Sequence, residues 1–347
     1  MLRLLRKKQF WGALIGLILL VYCVKDIRLS EIRELSTRVR YDYLLLAIGM
    51  AFAYIVFRVF RWRLMVERQA PITRPRAVAL YSAAQVVNMI MPMLTGQVGR
   101  LMLFARKLGV RKTFVFSTMV LEVLFDAVSL IIFMFFTSAA FVFPSEYRAV
   151  SFVVAGITMV VLIGFYLILH YQRPLEECGR RWMAGRWPGA YITVKKFMRS
   201  FTKGIELLRS SQHLAGSILY SLASWICHMF VIYALFKAFG LELPIAAAAA
   251  VMIINTIVLM VPITPGNAGT FEVAVSASLG AFSQGRTDAV LFAFALHLLD
   301  LLPVIVLGLA YFHFEKISLK EIKRSHEDEM IFQRISEDGS FIEEERP

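Results

Sequence analysis

Pro92-Met93-Leu94-Thr95-Gly96-Gln97-Val98-Gly99-Arg100 has a second copy later in the chain, Pro262-Ile263-Thr264-Pro265-Gly266-Asn267-Ala268-Gly269-Thr270. In each, glycines stand at the fourth and seventh positions after a proline, and each copy follows a long apolar stretch. Helix breakers at membrane depth are tolerated only where the freed backbone is buried in protein or lines a cavity. A pair of apolar segments broken in this way, one in each half of a chain, points to a transporter's binding site.

The composition agrees with that setting. Of 347 residues, 58% are hydrophobic, too many for an ordinary soluble domain. Apolar runs near 20 residues recur, enough to cross a hydrocarbon core of about 30 Å. The alternating pattern of a membrane β-barrel is absent, so the expected fold is all-α and polytopic. The net charge of +13 gathers between apolar segments, as in cytoplasmic loops, and implies a membrane surface rather than nucleic acid. Cys23, Cys178 and Cys227 have neither disulfide nor metal spacing. No P-loop, His-Glu-x-x-His, Gly-x-Ser-x-Gly or Cys-x-x-Cys pattern occurs, so no metal or cofactor is expected and a transporter is favoured over an enzyme.

Charge sets the topology. The basic Met1 to Lys8 precedes an apolar run over 10–24, read as an uncleaved first span leaving from the inside; a signal peptide is the alternative. Lys25 to Arg40 has the spacing of an amphipathic surface helix. Span two, about 41–60, ends in Arg58, Arg61, Arg63, Arg68, Arg74 and Arg76, a cytoplasmic signature. The apolar segment at about 77–94 is flanked by basic residues on both sides, so it enters and leaves on one face. Pro92 to Gly99 is then the tip of a re-entrant hairpin. Spans at about 113–136, 149–171, 214–238 and 289–312 follow. Between them lie a basic cytoplasmic loop, 172–213, with Trp182 and Trp187 at headgroup level, and a second hairpin that enters from outside at 245–263. The membrane domain covers 1–324, with both termini cytoplasmic. Residues 325–347, with eight acidic and two basic residues, read as a disordered tail.

The duplication reaches past the glycines. The interval from Pro75 to Pro92 nearly equals that from Pro244 to Pro262, and Gln85 and Asn255 stand at the same position ahead of their prolines. Leu124-Phe125-Asp126 corresponds to Leu298-Leu299-Asp300. Repeat one (about 41–136) and repeat two (about 214–312) are expected to be inverted and to form an alternating-access architecture of six spans and two hairpins.

Several polar residues fall at membrane depth, where an ionisable group defaults to a functional hypothesis. Glu122 and Asp126 share one helix face. They are read as charge-pairing or proton-coupling groups, or as a buried pair with Arg100. Arg100 is a phosphate ligand, with the amides around Gly96 and Gly99 as an anion nest, or an arginine marking the membrane boundary. Glu272 takes a cationic group or a proton, or is an exposed acid in an outer mouth. His297 and Asp300, one turn apart, form a proton relay or a satisfied buried pair. Gln85, Asn88 and Asn255 line a cavity or serve as interhelical glue. Pro92, Pro262, Pro265, Gly266 and Gly269 complete the substrate-binding candidates.

These motifs resemble the transmembrane region of lysylphosphatidylglycerol synthases and their stand-alone flippase-like relatives. The resemblance rests on Asn88 to Arg100, on Glu122-Val-Leu-Phe-Asp126 and on Pro262 to Glu272, over about residues 5–315. It implies an inner-membrane protein that moves an anionic phospholipid or a polyprenyl-phosphate-linked lipid between leaflets. No soluble aminoacyl-transfer domain follows in this sequence, so synthase activity is not expected. The family usually places an arginine before the span-three aspartate; Val123-Leu124-Phe125 stands there instead, which shifts the expected pairing toward Arg100. Two other function classes remain open: an accessory subunit of a lipid- or glycan-modifying enzyme, and an intramembrane lipid transferase.

Overall fold

A computed structural model describes residues 8–25, 27, 29–90, 94–139, 145–183, 187–206, 210–260 and 263–314. Those residues are helical throughout, apart from turns. The helices are α1 (Lys8–Val24), α2 (Leu29–Arg38), α3 (Tyr41–Val66), α4 (Arg74–Ile90), α5 (Leu94–Leu108), α6 (Lys112–Thr137) and α7 (Ser145–His170). Then come α8 (Gln172–Met183), α9 (Pro188–Ile205), α10 (Ser211–Ala238), α11 (Ile245–Val258), a 3-10 turn (Pro265–Asn267), α12 (Thr270–Gly280) and α13 (Arg286–Phe314). Four of them, α3, α6, α10 and α13, are long and apolar enough to cross a membrane, and shorter apolar helices lie in α1, α7 and α11. The chain is an all-α, multi-span membrane protein.

Local sequence sets the ends of these helices. Gly109 (φ 64) and Gly240 (φ 70) adopt the left-handed backbone just after α5 and α10. The next amides, of Val110 and Leu241, reach back to the carbonyls of Ala105 (3.1 Å) and Phe236 (2.8 Å), closing each helix in the Schellman manner. Pro244 caps the start of α11 in extended backbone. With 14 and 11 residues, α11 and α12 rise only about 21 and 17 Å, so neither crosses the hydrocarbon alone.

Packing in lipid relies on close approach, since apolar surface gains little by leaving lipid tails. The Ala247 to Ala250 run of α11 is buried. Gly204 of α9 sits where any Cβ would collide with Ser117 Oγ of α6. Trp62 (α3) stacks on Phe104 (α5) at 4.5 Å between ring centroids, with Tyr81 (α4) beside both. Phe152, Val160 and Phe135 are exposed, as suits surfaces facing acyl chains.

The helices meet in matching combinations. α3 packs on α4, α6 and α10, while α10 packs on α11, α13 and α3. α4 packs on α5 and α13, while α11 packs on α12 and α6. α5 meets α6 as α12 meets α13, and α3 meets α13 as α10 meets α6. Two four-helix halves, α3–α6 and α10–α13, thus exchange their hairpin arms. Outside them, α1 lies against α12 and the 265–267 turn, and α7 and α9 lie against α6.

Two expectations need correction. Span two continues to Val66 instead of stopping near 60. Gly96, Gly99 and Arg100 lie in the first two turns of α5 instead of in an irregular tip. Gly96 serves packing: a Cβ there would collide with the carbonyl oxygen of Asn88. Amides past the first turn bond within the helix, so Gly99 cannot offer the nest expected of it. Pro92, Pro262 and the 325–347 tail lie outside the described residues.

Candidate functional site

Asp126 in α6 and Asp300 in α13 stand at the same position counted from Lys112 and Arg286, the first residues of their helices. Each carboxylate is therefore near the middle of a long helix, where it needs partners. Asp126 receives Arg58 Nη2 at 2.9 Å and Arg61 Nη1 at 2.6 Å, both from α3. Trp225 Nε1 of α10 donates to it at 3.3 Å. Arg61 is fully buried and also donates to Ser221 Oγ of α10 at 2.8 Å. The charge pattern alone assigns Arg58 and Arg61 to the cytoplasmic boundary. They sit inside the span because the neighbouring helix supplies the acid; Arg63, bonded to the Ile72 carbonyl and Glu67, is the first that holds the helix end. The span-three acid is paired after all, from α3 and not from its own helix.

Arg100 and Glu122 form a buried ion pair between α5 and α6. The guanidinium also lies over the rings of Tyr81 (5.0 Å) and Phe104 (5.3 Å). Its charge is compensated by Glu122, while its Nε has no partner among the described residues.

The second half uses histidine. Glu272 Oε2 accepts the Gly269 amide at 2.7 Å, the acidic half of a capping box for α12. Its Oε1 lies 2.7 Å from His297 Nδ1 of α13, and His297 Nε2 lies 3.1 Å from the Gly266 carbonyl. A carbonyl only accepts, so the Gly266 contact requires a hydrogen on Nε2. Phe271 stacks on the imidazole at 4.3 Å. Glu272 is buried, which corrects its reading as an exposed outer acid. His297 and Asp300 do not bond to each other. Asp300 meets His228 Nε2 of α10 at 3.1 Å, and His228 stacks on Tyr54 of α3 at 4.9 Å. The Tyr54 hydroxyl accepts from Arg58 at 2.5 Å. A relay of side-chain contacts thus runs Asp126–Arg58–Tyr54–His228–Asp300 across both halves, hydrogen-bonded at every step but the Tyr54–His228 ring stack.

The relay ends at a cavity of about 370 Å³ between the two broken segments. Its polar wall carries Gln85 and Asn88 of α4, Gln97 of α5, and Thr264 and Asn267 of the second break. His297 and Asp300 of α13 complete it. The segments touch here: a Cβ at Gly266 would lie 3.4 Å from Met89 Cγ. Of the predicted residues, Gln85, Asn88, Gly266, His297 and Asp300 line the cavity. Glu272 stands one contact behind His297. Gly96, Gly99, Arg100, Glu122, Asp126, Asn255, Pro265 and Gly269 do not line it. Asn255 is buried in α11 with its side-chain oxygen unpartnered among the described residues. Pro265 opens the 3-10 turn. Gly269 (φ 86) lets α1 approach, since a Cβ there would fall 2.6 Å from the Gly16 carbonyl.

Sequence reasoning missed Gln97, Thr264, Asn267, His228 and Trp225. It also missed Gly12 and Gly16, which press α1 against the carbonyls of Ile263 and Ala268. The Gly-x-x-x-Gly spacing of that pair was a usable signal. So was the interval between Arg58 and His228, which equals that between Pro92 and Pro262. Among the described residues, no group of three or more His, Cys, Asp or Glu is placed to hold a metal ion.

The sequence model of one family, described as the lysylphosphatidylglycerol synthase TM region, matches residues 9–308. The chain belongs to that family. The match takes in every element of the site, from Gly12 of α1 to Asp300 of α13. No curated protein and no solved structure matches the chain. For this member of the lysylphosphatidylglycerol synthase TM family, a multi-pass, flippase-like membrane protein, the polar cavity is where the two broken segments meet beside the mid-helix Asp300.

Proposed function

We propose that this protein moves a lipid between the leaflets of the inner membrane, its head group passing through the cavity while the tails stay in the bilayer. The observation that carries the reading is the position of the cavity. It lies between both broken segments, beside a carboxylate at mid-helix, in a chain whose family is a synthase's transmembrane region. Transporter sites of this kind lie where discontinuous helices meet near the bilayer midplane.

The exchanged hairpin arms support inverted repeats that rock about the site to expose it to each leaflet in turn. Contacts at the helix ends support the proposed orientation. Arg286 bonds the Tyr22 carbonyl (3.1 Å), Thr287 bonds Glu31 (2.9 Å) and the Arg40 amide bonds Ala238 (2.9 Å), gathering the predicted outer segments. Glu67 meets His213 at 3.5 Å at the predicted cytoplasmic end. The family suggests an anionic phospholipid or polyprenyl-phosphate-linked lipid as the cargo. Asp300 with His228, and His297 with Glu272, are the proposed proton-coupling groups.

The test is exchange of fluorescent lipids between leaflets of proteoliposomes, read by dithionite quenching. The purified chain accelerates exchange over protein-free vesicles, and Asp300→Asn slows it. Folded protein that accelerates no lipid overturns the transport reading.

A further inference from the structure

The chemistry of the cavity wall favours one kind of head group. Four carboxamides, Gln85, Asn88, Gln97 and Asn267, face it from three separate elements. Gln85 Nε2 donates to the Tyr81 hydroxyl at 3.3 Å. The side chains of Asn88, Gln97 and Asn267 make no hydrogen bond among the described residues, which leaves donors and acceptors side by side. Among the described residues, neither lysine nor arginine lines the cavity, and the one carboxylate on its wall is Asp300. Arg100, on the same helix as Gln97, is compensated by Glu122.

A phosphate offers acceptors almost exclusively. It would leave the carboxamide oxygens unmet and would face the charge of Asp300 without a neighbouring fixed cation in the wall. An ammonium offers donors only and would leave the carboxamide nitrogens unmet. A hydroxyl both donates and accepts and so satisfies both ends of a carboxamide. Phe271, stacked on His297, adds an apolar surface on the same wall. A head group that leaves hydrogen-bonding groups of the wall unmatched binds less well than one that meets them, so the wall discriminates by this match.

We infer that the cavity binds a hydroxyl-rich head group, a polyol, with any phosphate of the lipid held outside it. The inference rests on the transport reading for the lipid's route, while binding itself is measured separately. Two sources share this chemistry: the terminal glycerol of a phospholipid and the sugar of a glycolipid.

The experiment is thermal unfolding of the full chain in detergent with increasing amounts of one lipid. The four arms are phosphatidylglycerol, glucosyl diacylglycerol, phosphatidic acid and phosphatidylethanolamine. At least one of the first two should stabilise the protein at about fivefold lower concentration than the last two, and the better of them identifies the source. Gln97→Leu should weaken that stabilisation about fivefold, as for one lost hydrogen-bonding group. Gln97 is exposed, so the variant keeps its fold. Asn267→Gly should act alike, because glycine accepts the left-handed backbone at that position (φ 59). Equal stabilisation by phosphatidic acid or phosphatidylethanolamine, unchanged response in both variants, or no stabilisation by any lipid would overturn the inference. Polyol binding without leaflet exchange would instead overturn the transport reading alone.

Discussion

The two halves of the molecule place charge at corresponding depths with different chemistry. Arg58 and His228 stand at the same position counted from Tyr41 and Ser211, the first residues of α3 and α10. Each pairs with the mid-helix aspartate in the last long helix of its own half. Between hairpin arm and span the polarity reverses: Arg100 on the arm meets Glu122, whereas Glu272 on the arm meets His297. Arginine stays protonated in proteins, so the first half holds fixed charges. The second half pairs its acids with histidine instead. Its pairs reach the cavity, through His297 and Asp300, whereas the ion pairs of the first half do not.

The sharpest way to break this comparison is to remove the two aspartates in turn. Asp126→Ala strands Arg58 and Arg61, which cannot shed their charge, and should cost about 3–5 kcal/mol. Asp300→Ala strands only His228, which can turn neutral, and should cost clearly less. Equal losses in denaturant or thermal unfolding would erase the distinction. A double-mutant cycle at Arg100 and Glu122 is next. Glu122→Leu alone should cost about 3 kcal/mol, while Arg100→Met with Glu122→Leu should return close to wild type, as buried pairs replaced by apolar residues often do. Additive losses would mean that the pair is not an isolated unit. Gly16→Leu drives a side chain into the Ala268 carbonyl, 3.0 Å from the built Cβ; a loss of about 1–3 kcal/mol is expected, measured by the melting temperature.

The smallest effect is expected at an exposed pair. On the surface, a hydrogen bond from Lys195 and its positive charge hold the Glu176 carboxyl below its usual range. Such a group adds stability only above its unfolded pKa and loses it as pH falls through the lowered folded value. Both partners are exposed, so Glu176→Ala should leave the melting temperature at neutral pH unchanged within error.

The long helices were legible because a run of apolar residues has few alternatives in a membrane. The paired breaks were legible as motifs, yet identical glycine spacing serves different physics in the two copies. Gly266 and Gly269 take positive φ in an irregular segment, while Gly96 sits in a helix and clears Asn88. Arg58 and Arg61 read as boundary markers because charge near a span end marks topology only when no acid on a neighbouring helix captures it. Asp126 and Arg61 belong to different helices, and their adjacency is tertiary. Arg100 drew two readings, a phosphate ligand and a buried partner of the span-three acids, and it pairs with Glu122. The carboxamide wall was half visible: Gln85 and Asn88 stood out on the first hairpin. Gln97 and Asn267 lie inside the motifs themselves, where the glycines beside them carry the stronger pattern.

The central claim, that a lipid head group passes through the cavity between the two breaks, is tested most directly by filling it. Met260 lines the cavity and is half exposed, so Met260→Trp occupies the space without disturbing the core. Leu298→Trp, on an exposed face of α13, is the control. In proteoliposomes of phosphatidylglycerol and glucosyl diacylglycerol, wild type and Leu298→Trp should exchange labelled lipid at equal rates and Met260→Trp should fall to the protein-free rate. Full exchange by a folded Met260→Trp protein would contradict the account.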